Sequence, residues 1–107
     1  MPQKNTHLVT EIKQLANFLD THYAAKLNFR NHCYLRIAFD NTVNDKWDAK
    51  VAKPFLKYAK NEQLQNVLHL LTTYLDDELL LLSDNEKSLA FRKQFKQMEH
   101  IKSPKLF

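Results

Sequence analysis

Residues 6–26 read THLVTEIKQLANFLDTHYAAK. Leu8, Ile12, Leu15, Leu19 and Tyr23 recur at spacings of four and three, while Lys13, Asn17, Asp20 and Thr21 fall opposite, the pattern of a helix with one face turned to a core. The rest of the chain supports helices around it. There is no glycine among the 107 residues, and glycine is what supplies positive φ in tight hairpins and lets backbone approach a phosphate. The same absence excludes the P-loop, the dinucleotide fingerprint, the kinase glycine-rich loop and the nucleophile elbow, so most nucleotide enzymes are excluded with them.

Working outward, Asn31 is placed to cap a second helix running to about Asp48. Pro54 disfavours helical geometry at Lys53 and suits the start of a new turn, PFLKYA. Asn61 can cap a third helix whose stripe is Leu64, Leu68, Leu71, Leu75, Leu79 and Leu82, with Val67 beside it. Ser83 with Glu86 forms a capping-box pattern for a fourth, with Phe91, Phe95 and Met98 on one side. The expectation is an all-α fold: one small bundle of about four helices over residues 1–107, with a short extra turn after Pro54 and a tail fraying from about residue 101.

Hydrophobic residues make up 44% and charged residues 26%, the balance of an ordinary folding domain rather than a disordered chain. One cysteine, Cys33, allows no intrachain disulfide and fits a reducing compartment. No stretch has the roughly 20 apolar residues that span a bilayer, and MPQKNTHLVTEIK lacks the apolar block of a signal peptide. A cytoplasmic protein with no membrane partner is the expectation.

Residues 31–47, NHCYLRIAFDNTVNDKW, pose the functional question. On a helical wheel stepping about 100° per residue, His32, Arg36, Asp40, Val43 and Trp47 share a sector of about 80°, and Cys33, Tyr34, Ile37 and Ala38 cover much of the remaining circumference. The second helix is therefore expected at the centre of the bundle. An enclosed arginine needs an acid, and Asp40 lies one turn on, so the first reading is an internal ion pair between Arg36 and Asp40. The functional reading is a polar pocket lined by His32, Arg36, Asp40 and Trp47, with the arginine on an anion and the tryptophan stacked on a ligand. His32 and Cys33 diverge by about 100° on a helix, which opposes a base and nucleophile pair. His7 and Glu11 have helical metal spacing, but two ligands make weak grounds for a site. No catalytic residue, metal or cofactor is assigned.

Lys46, Lys50, Lys53, Lys57 and Lys60 recur at spacings of four and three, with Trp47, Val51, Phe55 and Tyr58 in the same rhythm. The net charge of +4 hides an uneven distribution. Residues 31–60 and residues 84–107 each carry six basic and three acidic side chains, whereas residues 61–83 carry four acids and no base. These features lead to a protein that acts by binding another macromolecule, a protein in the first instance, rather than an enzyme. The four leucines Leu79, Leu80, Leu81 and Leu82 exceed one helix face and suggest a homodimer. The alternatives are a nucleic-acid-binding module using the Lys46–Lys60 stripe, and a small enzyme or ligand-binding protein with its pocket on the second helix.

Overall fold

A computed structural model of the chain describes residues 6–102, with side chains described as far as residue 94. Five α-helices and one 3-10 turn make up an all-α bundle, and no strand occurs among the described residues. The helices are α1 (Thr6–His22), α2 (Asn31–Val43), α3 (Phe55–Tyr58), α4 (Asn61–Asp76) and α5 (Glu78–Lys102), with the 3-10 turn Trp47–Ala49 between α2 and α3. Four are long, and α3 is the short turn expected after Pro54.

In α1 the expected stripe faces inward, with Ile12, Leu19 and Tyr23 buried, Leu8 and Leu15 half-buried, and Ala16 buried beside them. The helix ends at His22 rather than Lys26, and the amides of Lys26 and Leu27 both bond the Tyr23 carbonyl in a closing turn. The Tyr23 hydroxyl donates to the Tyr74 carbonyl at 2.6 Å, tying the end of α1 to the end of α4. The central position of α2 holds: it packs on α1, α4 and α5, and Tyr34, Ile37, Ala38, Phe39 and Asp40 are buried along it. A helix closed in on several sides needs apolar residues around most of its circumference, which is what the sequence supplies there.

Boundaries elsewhere also depart from the sequence reading. Arg30, not Asn31, holds the N-cap position of α2, and the Asn31 side chain instead donates to Asn17 Oδ1 at 2.7 Å. The helix stops at Val43 rather than near Asp48, because Asn44 turns left-handed at φ 61°, a conformation asparagine tolerates better than most residues. Trp47 therefore does not lie on the α2 wheel. Lys60, not Asn61, caps α4, its amide bonding Gln63 Oε1 at 2.8 Å.

The largest departure lies at the end of α4. The leucine spacing predicts one helix to Leu82, with a new start at Ser83; the break falls at Asp77 instead. Asp77 accepts the Leu80 amide on Oδ1 at 2.9 Å, an N-terminal cap that starts α5 six residues early. The break resets the helical phase, so Leu81 is buried while Leu79 stands 80% exposed. Leu80 and Leu82 are half-buried. One chain thus covers most of a run whose excess over a single face was the ground for expecting a homodimer.

The inner face of α5 is polar. Among its described side chains Leu81, Asp84 and Ser88 are buried, and Arg92 lies one turn further on. Asp84 Oδ2 accepts the buried Tyr74 hydroxyl at 2.7 Å, and the Asp84 carbonyl accepts the Asn41 side chain at 2.9 Å. Phe91 is half-buried; Phe95 and Met98 lie outside the described side chains.

Candidate functional site

The polar residues singled out on α2 do come to one place, with different partners. Asp40 is fully buried and accepts from four donors: Ser88 Oγ at 2.6 Å, Arg92 Nε at 2.8 Å, Arg92 Nη2 at 3.1 Å and the Trp47 amide at 2.9 Å. The cation bound to Asp40 is Arg92, not Arg36. Arg36 donates to Ser88 Oγ at 2.7 Å and to Asn85 Oδ1 at 3.0 Å, so it reaches Asp40 only through the Ser88 hydroxyl. The expected direct Arg36–Asp40 pair is thus replaced by a network between α2 and α5. The reason lies in direction: Arg36 and Asp40 lean against α5, and α5 offers each its own partner. His32, two turns before Asp40, is exposed and belongs to no part of this network.

These contacts satisfy the carboxylate. A buried charge that accepts two guanidinium hydrogen bonds, a hydroxyl and an amide has the partners burial demands. The arrangement holds two helices and one turn together. By binding the Trp47 amide, Asp40 fixes the 3-10 turn and places the Trp47 ring against the aromatic side chains of α2 and α3. Phe39 and Phe55 stack at 4.0 Å with 9° between their planes, and Trp47 meets each of them edge-on at 5.7 Å.

That cluster floors an apolar groove of about 410 Å³. Val9 and Lys13 of α1 form one wall, Leu35 and Phe39 of α2 the base with Trp47 and Phe55, and Pro54, Leu56 and Lys57 the other wall. A neighbouring depression of about 510 Å³ shares Val9, Lys13, Leu56 and Lys57 and continues to Thr6, Thr10 and Tyr58. No acidic residue lines either one. Sequence reading had placed Lys57 and Trp47 among the candidates but missed Lys13, which looks like an ordinary polar-face residue until α3 folds over beside it.

The lysine row divides in two. Lys46 and Lys53 both contact Asp48, the latter at 3.6 Å, and Lys50 lies 3.9 Å from Asp45. The hydrogen bond from Lys46 holds the Asp48 carboxyl below its ordinary range. Lys57 instead stands over the Tyr58 ring at 5.3 Å. Lys50 and Lys60 border a more polar depression of about 640 Å³ on the far side of Tyr58, with Thr42 and Gln63.

His7 and Glu11 pair with each other at 2.6 Å on the surface. Among the described residues no three His, Cys, Asp or Glu side chains are grouped to hold a metal ion, and no described helix is long and apolar enough to cross a membrane. Cys33 is a half-buried free thiol. No protein-family model matches the chain, and neither the curated proteins nor the solved structures compared with it give a match.

Proposed function

We propose that this chain acts by binding another macromolecule, a protein, through the groove between α1, α2 and α3. The observation that carries the reading is the groove's composition: the half-buried side chains of Val9, Leu35, Trp47 and Leu56 open to the surface in one concave patch over the buried rings of Phe39 and Phe55. Apolar surface left concave on a small domain is a place where a partner's side chains gain by desolvation. The Arg36–Asp40 region supports this as scaffold, since its polar groups are taken up by one another. The reading is a binding protein, working in the cytoplasm.

Leu56→Gln tests the reading. Leu56 is half-buried on the one-turn helix α3, so the change alters the groove wall while leaving the long helices in place. A protein captured from cell extract by the wild-type chain, insensitive to nuclease and lost with the folded variant, supports it. Equal capture by both chains removes the groove from the account.

A second reading rests on Lys50, Lys60 and Tyr58 around the polar depression, a basic and aromatic surface of the kind nucleic acids use. It predicts binding to random duplex or single-stranded DNA that weakens steeply with salt. Absence of binding at low salt ends it. Self-association through Leu79 is a third contact to measure, by sedimentation.

A further inference from the structure

Resting on the protein-binding reading, we infer that the groove takes an acidic amphipathic helix, its apolar side chains against Val9, Leu35, Trp47 and Leu56 and its carboxylates against Lys13 and Lys57. The first ground is charge. Lys46, Lys50 and Lys53 each have a carboxylate of this chain within reach. Lys13 and Lys57 have none: both are exposed, and among the described residues neither takes part in an ion pair. With no acid among the lining residues, the two walls of an apolar groove each carry a positive charge that no carboxylate of the described residues pairs. Such a site attracts carboxylates and repels basic segments.

The second ground is length. The groove and its continuation follow α1 from Thr6 to Lys13, seven residues, which at 1.5 Å per residue is about 10 Å. A helix that lays apolar residues at positions i, i+3 or i+4, and i+7 into a groove presents anchors over the same span. Nucleic acid fits less well, because the Phe39 and Phe55 rings are buried against each other at 4.0 Å rather than open for bases to stack on.

The chain carries its own reporter, since Trp47 is its single tryptophan and lies in the groove floor. The probe is a synthetic helical peptide of about 15 residues with leucines at i, i+4 and i+7 and glutamates flanking them, compared with a scrambled peptide and with one carrying lysine for glutamate. The acidic peptide is expected to shift Trp47 emission with saturation and to lose affinity as salt rises. Lys13→Glu together with Lys57→Glu, both exposed positions, is expected to weaken it about tenfold or more and to favour the basic peptide. Leu56→Gln weakens both peptides. If charge reversal leaves the acidic peptide's affinity unchanged while Leu56→Gln abolishes it, the charge inference falls and the protein-binding reading stands. If no peptide binds while Leu56→Gln still abolishes capture from extract, the inference likewise falls alone. Saturable binding of duplex DNA that charge reversal removes, or a dimer that dissociates on charge reversal, would each name a different occupant and overturn the proposal.

Discussion

Removing Arg92 exposes how the fold is tied together. Asp40 is fully buried, and two of its four hydrogen bonds come from the Arg92 guanidinium. Taking away one partner of a buried ion pair leaves a charge without compensation and costs about 3–5 kcal/mol. Arg92→Met should therefore destabilise the fold by about that amount, a large share of the roughly 5–15 kcal/mol that holds a domain of this size. Asp40→Ala should cost a similar amount, since the Trp47 amide and the Ser88 hydroxyl lose their acceptor. The two changes made together should cost less than their sum by about 2–3 kcal/mol, because the second removes a group the first left unpaired. The pairing of Arg36→Met with Asp40→Ala should show a coupling below about 1 kcal/mol, since Arg36 touches Asp40 only through Ser88. Urea unfolding followed by far-ultraviolet circular dichroism gives all five variants against the wild type, with sucrose added if the weakest is partly unfolded. A coupling of Arg36 to Asp40 as large as that of Arg92 would refute the assignment of partners.

Two buried tyrosine hydroxyls supply a matched pair of further predictions. Tyr34 Oη is buried without a hydrogen-bond partner among the described residues, so Tyr34→Phe should leave the urea midpoint unchanged or raise it, whereas Tyr74→Phe strips a hydrogen bond from buried Asp84 and should cost about 1.5–3 kcal/mol; equal effects would contradict the geometry. Burial pushes the Tyr34 hydroxyl up to about 12, and burial with the bond to Asp84 pushes Tyr74 up as well, from 10.0 in each case. Above that ordinary value the unfolded chain sheds protons the folded chain keeps, so stability should be full below about pH 10 and fall as pH rises towards 12. Urea midpoints between about pH 9 and pH 11.5 check this, and a flat profile would contradict it.

The amphipathic period of residues 6–26 was enough to place α1, and the dense apolar circumference of Tyr34 to Phe39 was enough to place α2 at the centre. The break at Asp77 was not legible by the same means. The leucine spacing runs unbroken from Leu64 to Leu82, and the signal that mattered was an N-terminal cap at Asp77, which competes poorly with so strong a stripe. The interior role of α5 was hidden for a related reason: Asp84, Ser88 and Arg92 recur at spacing four, but a polar stripe ordinarily marks the solvent side of a helix. Only a facing carboxylate turns it into an interface, and facing is a property of the fold. Lys13 was likewise indistinguishable from its polar neighbours until α3 and the Trp47 turn completed the groove.

The docking account stands or falls on where an acidic amphipathic helix touches the chain. Amide and indole chemical shifts of the nitrogen-15-labelled protein, followed as the peptide is added, give that map residue by residue. The account predicts that the largest changes fall on the Trp47 indole and on Val9, Lys13, Leu35, Leu56 and Lys57, with Arg36, Ser88 and Arg92 unmoved. Changes centred on Lys50, Lys60 and Gln63, or on the polar network of α5, would contradict it.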